Sequence, residues 1–236
     1  KRENGTLPEN GAVIKSIVTT ELADKIAASY NVATHSVLTG FKYIAGKIGE
    51  FEHLENFEFL FGFEESYGYM AGSFVRDKDA VQACLLTAEM AAWYKLRGMT
   101  PYDGLEELYG KYGYYLDKVA SIHKEGKKGA EQISAIMQRM RGDKPSELGG
   151  FKVLKIRDYL SETTTDIRTG NTEPTGLPQS DVLYYELDGG MKFVARPSGT
   201  EPKIKFYFCV NAKTRQEAEG LLISLQQSVE NKYLAK

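Results

Sequence analysis

The sequence predicts an α/β domain with a mixed, largely parallel sheet, followed by a small α+β domain with an antiparallel sheet. Three observations carry this reading. From residue 12 onward, strand-like apolar runs alternate with helical ones, the order that builds a parallel sheet through crossover connections. From residue 151 onward, strand-like runs follow one another and a single amphipathic helix closes the chain, as in an antiparallel sheet with its helices on one side. Between the two, Pro145-Ser146 and Gly149-Gly150 interrupt the periodicity. The expected division is a linker over 1–10, a first domain over 11–145 and a second over 146–236.

Residues 1–10 are polar, with Gly5, Pro8 and Asn10-Gly11, and read as a linker or frayed end. Ala12-Val13-Ile14-Lys15-Ser16-Ile17-Val18-Thr19-Thr20 is rich in β-branched residues and reads as a buried strand. Thr20 stands where it can cap a helix over 21–30, on which Leu22, Ile26 and Tyr30 share a face. A strand over 32–38 and a helix over 40–48 repeat the alternation. An acidic-aromatic stretch over 51–57 leads into the apolar run Phe59-Leu60-Phe61-Gly62-Phe63. Gly68 and Gly72 then turn the chain back towards Arg76-Asp77-Lys78-Asp79, which precedes a long apolar helix over 80–96. Val81, Cys84, Leu85, Ala88 and Ala92 are its expected inward residues. Thr100-Pro101 opens a helix over 103–112. The tyrosines that follow lack interleaved basic residues and suit packing better than base stacking. Residues 123–129 read as a charged, glycine-broken loop before a helix over 130–141.

In the second domain, 151–160, 182–187, 192–195 and 203–210 read as strands, with Asp188-Gly189-Gly190 as a hairpin turn. Residues 163–180 form a long polar loop. The closing helix over 214–233 is expected to bury Ala218, Leu221, Leu222, Leu225 and Val229.

Composition narrows the function classes. With 30 basic and 32 acidic residues the net charge is −2, so no broad field favours nucleic acid or a membrane surface, and anion binding has to be local. No run approaches the roughly 20 apolar residues of a membrane span. Cys84 and Cys209 form no C-x-x-C pair, which suits a reduced, cytoplasmic protein with two small hydrophobic thiols. His35, His53 and His123 lie in no metal-like spacing.

Two loops carry chemistry. In Arg196-Pro197-Ser198-Gly199-Thr200-Glu201-Pro202-Lys203, a guanidinium, two hydroxyls and a glycine amide can surround an oxyanion. The two prolines reduce the entropy lost when such a loop closes on a ligand. The same residues also suit a plain polar hairpin loop. In Glu64-Glu65-Ser66-Tyr67-Gly68, an apolar strand stops in acceptors, as at the rim of a cleft. In extended chain Glu64 and Ser66 point to one side and suit a pair of sugar hydroxyls. Thr39-Gly40-Phe41-Lys42, where a strand meets a helix, adds free amides and a cation for a phosphorylated ligand. Arg76 and Lys78 are cations at a helix start, where the dipole disfavours them.

Together, Glu64-Glu65-Ser66-Tyr67-Gly68 and Arg196-Pro197-Ser198-Gly199-Thr200-Glu201-Pro202 resemble the sugar-binding and phosphate-binding loops of the α-D-phosphohexomutases, most closely the bacterial phosphoglucomutase/phosphomannomutase type. The resemblance runs from about Gly11 to the end and corresponds to domains three and four of a four-domain enzyme. It implies interconversion of hexose 1-phosphate and hexose 6-phosphate through a bisphosphate, with Mg2+ and hexose 1,6-bisphosphate as cofactors of the full-length enzyme. It also implies that the phosphorylated serine and the Asp-rich magnesium loop lie in N-terminal domains this chain lacks. The chain alone is therefore expected to bind no cofactor or metal and to be inactive. By resemblance, Lys78 is a catalytic group beside the transferring phosphoryl. Glu64, Ser66, Lys42 and Arg76 bind the sugar phosphate, and Arg196, Ser198, Gly199, Thr200 and Lys203 hold the non-reacting phosphate. An amino-sugar mutase or a free-standing phosphosugar-binding module remain the alternatives.

Overall fold

The computed structural model describes residues 1–199 and 201–234, which form two compact units, 1–113 and 114–236. The first unit contains β1 (Gly11–Ser16), α1 (Leu22–Ser29), β2 (Ala33–Val37), α2 (Phe41–Leu54), β3 (Glu58–Phe63), β4 (Tyr69–Met70), α3 (Ala80–Leu96) and α4 (Pro101–Tyr112). Its sheet runs β2-β1-β3-β4, with β1, β2 and β3 parallel and β4 antiparallel to β3, the mixed and largely parallel sheet expected. Alternation along β1 places Ala12 and Ile14 on the side of α2, where they meet Ile44, Ile48 and Phe51 at helical spacing. That stripe explains why α2 continues past residue 48. Glu55, in the left-handed region, ends it.

Helix α3 has the expected bounds, but the expected inward stripe is exposed: no residue of α3 is buried, and Cys84 is exposed with it. Its sequence is apolar almost all round, so periodicity could not say which side faces the sheet. The sheet side proves to be Ala83, Leu86 and Met90, which border a cavity of about 270 Å³ with Phe61 and Met70. Leu85, 61% exposed, is accordingly expected to tolerate Leu85→Ala within about 0.5 kcal/mol in urea denaturation, as surface changes usually do. A loss above about 1 kcal/mol would show that the stripe packs within this chain.

The second unit contains β5 (Tyr114–His123), α5 (Gly126–Gly142), β6 (Glu147–Leu148), β7 (Phe151–Asp158), β8 (Thr163–Asp166), β9 (Thr172–Pro174), β10 (Leu183–Leu187), β11 (Met191–Pro197), β12 (Lys203–Ala212) and α6 (Arg215–Tyr233). The antiparallel order is β5-β12-β11-β10-β7-β8-β9, with β6 paired to β7. The division therefore falls at 113/114 and not at 145/146. Residues 114–123 pair along their whole length with β12, and α5 sends Ile133, Ile136, Met137 and Met140 into the core of the second unit. Gly149-Gly150 is a hairpin turn inside that unit, both residues having positive φ, and a Cβ on Gly149 would meet the Leu225 backbone at 2.7 Å. The polar stretch over 163–180 is not all loop, since β8 and β9 lie in it, with Thr164 and Thr165 buried. Helix α5 begins at Gly126, inside the expected charged loop.

The core of this unit is aromatic. Phe193 is fully buried, its ring 5.3 Å from Tyr185, 5.7 Å from Phe206 and 5.2 Å from Phe208. Helix α6 closes it with Leu225, Val229 and Tyr233. Thr214 caps α6 by accepting from the Glu217 amide.

Candidate functional site

Strands β1, β2 and β3 end side by side, with Ser16 paired to Val37 and Lys15 paired to Phe63. Whatever follows each strand is thus brought to one rim, the usual ligand-facing edge of an open parallel sheet. After β3 the chain makes a tight hairpin loop into β4, closed by the Glu64 amide donating to the Gly68 carbonyl at 2.9 Å. Tyr67 takes a left-handed φ of 65° within it and is exposed. The loop is not extended, so the same-side argument for Glu64 and Ser66 does not hold. Glu64 is buried at 7% exposure and Ser66 is exposed.

The Glu64 carboxylate bridges two of the predicted segments. Its Oε1 accepts from the Gly40 amide at 2.6 Å, at the N-terminus of α2, where a negative charge is favoured. Gly68 packs closely here: a Cβ on it would lie 3.0 Å from the Phe41 ring and 3.4 Å from Glu64 Oε2, so the ring would have to shift by a few tenths of an ångström to admit one. The Lys78 ammonium lies 5.7 Å from the centre of the Phe41 ring and 3.0 Å from Asp77 Oδ1. Hydrogen bonds from Lys78 hold the Asp77 carboxyl below the usual carboxylate range. Lys42 is exposed, its ammonium 4.9 Å over the Tyr43 ring. Glu64, the Gly40–Lys42 turn and Lys78 are thus gathered at one rim.

Arg76 is not. Its guanidinium contacts both oxygens of Glu52 at 2.6 Å, and Glu52 lies roughly 15 Å along α2 from Lys42 at 1.5 Å per residue.

In the second unit, the Arg196 loop connects β11 to β12. The Ser198 amide donates to the Lys203 carbonyl at 2.8 Å, and the Lys124 amide donates to the Pro202 carbonyl at 2.9 Å. Gly199 is exposed and open, with no atom within 4 Å of where a Cβ would sit. Thr200 lies outside the described residues. Lys203 pairs with Glu201, and this hydrogen bond lowers the Glu201 carboxyl. The residue opposite Arg196 across the β11–β12 pair is Lys205, so the two cations share a sheet face. Only the strand register sets Lys205 opposite Arg196, since in sequence it is simply a lysine two residues beyond Lys203. A cavity of about 280 Å³ adjoins the loop, lined by Ser198, Gly199 and Lys203 with Ser134 and Arg141 of α5. Arg141 is held there by Asp158 and Asp181.

Among the described residues, no three His, Cys, Asp or Glu side chains gather as metal ligands, and no helix is long and apolar enough to cross a membrane. His35 packs edge-on between Phe51 and Phe57, and burial lowers its pKa, as for a core histidine.

Residues 1–112 match the family model described as phosphoglucomutase/phosphomannomutase, alpha/beta/alpha domain III. The chain is 40% identical over 210 residues to a phosphoglucomutase of Staphylococcus haemolyticus (strain JCSC1435), covering 89% of this chain and 38% of that protein. It is 43% identical over 196 residues to a phosphoglucomutase of Staphylococcus aureus (strain USA300), covering 83% and 35%. Among solved structures it is similar in fold to the open form of the phosphoglucomutase pp63/parafusin from Paramecium, with a TM-score of 0.59 at 18% identity over 96% of this chain and 39% of that one. A phosphoglucomutase/phosphomannomutase family protein from Burkholderia thailandensis gives a TM-score of 0.54 at 12% identity, over 94% and 38%. The chain thus spans little more than a third of the length of these relatives.

Proposed function

We propose that this chain, which matches domain III of the phosphoglucomutase/phosphomannomutase family over residues 1–112 and is 40% identical to a phosphoglucomutase over 210 residues, supplies the sugar-gripping and phosphate-gripping loops of a cytoplasmic phosphohexomutase. The whole polypeptide would interconvert hexose 1-phosphate and hexose 6-phosphate through a bisphosphate intermediate. The observation that carries this reading is the gathering of the Glu64 loop, the Gly40–Lys42 turn and Lys78 at the carboxyl ends of three parallel strands.

The chemistry assigned to each group follows from its surroundings. A bisphosphate that reacts at either end has to be held by what both orientations share, namely ring hydroxyls and the phosphate that is not reacting. Glu64 and Ser66 offer an acceptor and a hydroxyl to the sugar. Lys42 and Lys78 supply positive charge near the transferring phosphoryl group, where positioning and charge neutralisation account for most of the rate. Arg196, with Ser198, the Gly199 amide, Thr200 and Lys203, grips the distal phosphate, and Lys205 adds charge beside Arg196. Arg76, held by Glu52, is left out of this assignment. The donors for Mg2+ are not found among the described residues of this chain, so no step is assigned to the metal here. The serine nucleophile and the remaining domains of such an enzyme are partners the proposal requires.

The test is an amide NMR titration of this chain with glucose 1,6-bisphosphate, with inorganic phosphate as the comparison. Shifts are expected at both the 64–68 and 196–203 loops with the sugar bisphosphate, and only at the latter with phosphate. Arg196→Ala is expected to weaken both ligands roughly 10- to 100-fold, the worth of one lost charge-assisted pair of hydrogen bonds. Unchanged affinity would refute the phosphate assignment. Purified chain that turns over hexose 1-phosphate without added domains would refute the division of labour.

A further inference from the structure

Glu65 sits between the two sugar-loop residues and has no place in the assignment above. Its Oε2 is 3.1 Å from Ser16 Oγ, the last residue of the neighbouring strand β1. Ser16 Oγ is in turn 2.8 Å from Thr19 Oγ1. The proton directions can be worked out. An ionised carboxylate only accepts, so the single Ser16 proton goes to Glu65, and Thr19 must donate to Ser16. The Thr19 carbonyl accepts from Lys15 Nζ at 3.3 Å. Lys15 is fully buried, and its ammonium is also 3.2 Å from the Thr20 carbonyl, 3.2 Å from Glu21 and 2.8 Å from Asp24.

The hydroxyl chain runs from Thr19 through Ser16 to the Glu65 carboxylate, each hydroxyl donating towards the loop, the arrangement in which hydrogen bonds polarise and strengthen one another. Lys15 is not a link in that chain; it anchors Thr19 from behind by donating to its backbone carbonyl. Glu64 is fixed from the other side by the Gly40 amide. The five-residue loop is thus held between the β1–α1 turn and the β2–α2 turn.

We propose that Glu65, Ser16 and Thr19 are positioning residues. They form a strut that holds the Glu64–Gly68 loop in its closed turn, so that Glu64 and Ser66 meet a sugar already in place. This rests on the functional reading given above. Its consequence is specific: loss of the strut should cost recognition of the sugar and spare recognition of the phosphate, whose loop belongs to the other unit.

The experiment compares the native chain with Glu65→Ala, Glu65→Gln and Ser16→Ala. Two quantities are read from each, the affinity ratio of glucose 1,6-bisphosphate to inorganic phosphate and the hydrogen-exchange rate of the Glu64 amide. Glu65→Ala and Ser16→Ala are expected to lower the ratio roughly tenfold and to speed Glu64 exchange by a similar factor, as loss of a hydrogen bond to a charged group would. Glu65→Gln is expected to stay within about twofold of native, because its amide oxygen still accepts from Ser16. Alanine variants with native exchange and a native ratio would overturn the strut. Glutamine as damaging as alanine would overturn it too, by showing that the Glu65 charge itself meets the ligand. A native chain that does not distinguish the two ligands would overturn the functional reading and with it the positioning role. That failure is told apart from failure of the strut by faster Glu64 exchange in the alanine variants.

Discussion

Lys15→Met is expected to lower the stability of the first unit by about 2–4 kcal/mol. Breaking a buried ion pair by removing one partner typically costs about 3–5 kcal/mol, because the other charge stays behind unpaired. Here the stranded groups are Glu21 and Asp24, whose side chains are 28% and 33% exposed, and partial hydration lowers the figure. Burial, followed by the neighbouring Glu21 charge, already raises the Asp24 carboxyl above its ordinary pKa against the lowering effect of Lys15. A carboxylate whose folded pKa is raised favours folding below that pKa and opposes it as pH rises through it. Without Lys15 the pKa rises further. The deficit of the variant should therefore be largest at neutral pH and shrink as the pH falls towards the carboxylate range. Urea denaturation followed by Trp93, the single tryptophan and a residue of the first unit, reads this directly. Lys15→Met combined with Glu21→Gln and Asp24→Asn should recover most of the loss, since no charge is then left unpaired. A single variant within about 1 kcal/mol of native at pH 7 would show that the two carboxylates are hydrated well enough without the cation.

The second large effect belongs to the other unit. Phe193→Ala removes a fully buried ring from the middle of a cluster formed with Tyr185, Phe206 and Phe208, and a loss of about 3–5 kcal/mol is expected. Strand alternation puts Phe193 and Arg196 on opposite faces of β11. Phosphate binding should therefore fall only as far as the folded fraction falls, and be restored where the variant is kept folded by lower temperature or less denaturant. The check is urea titration read on amide resonances of β11 and β12. A loss under about 1 kcal/mol would mean that the neighbouring rings collapse into the space.

What the sequence disclosed depended on how local the determining physics was. Helix α4 was announced by Thr100-Pro101, because the capping box with Asp103 is contained in four residues, although the helix starts at Pro101, two residues before the expected 103. The parallel order of β1, β2 and β3 followed from alternation of apolar runs with helices. Strand β5 escaped notice because Asp117, Lys118 and Ser121 break its apolar pattern, and only the pairing with β12 makes it a strand. Helix α5 begins in Gly126-Lys127-Lys128-Gly129, glycines that argue for a loop, and its place is decided by the residues it buries ten positions later. The same divide runs through the site. The residue types at Glu64, Lys78 and Arg196 were legible. The partners that give them geometry were not: Gly40 for Glu64, Glu52 for Arg76 and Lys205 for Arg196 are set by sheet register and loop closure.

The pairing of β5 with β12 also bears on how the second unit comes into being. Its opening strand is hydrogen-bonded to its last described strand, from Tyr114 with Ala212 to His123 with Lys203. As the chain leaves a ribosome, Tyr114–His123 must wait, backbone groups unpaired, while β7, β10 and β11 are made and assemble a sheet that lacks one edge. Pairings between ends so distant in sequence make for slow folding. The Arg196 loop, lying just before β12, is among the last parts to be placed. Nascent chains stalled before residue 203 should then hold a folded first unit and an open, chaperone-binding second one.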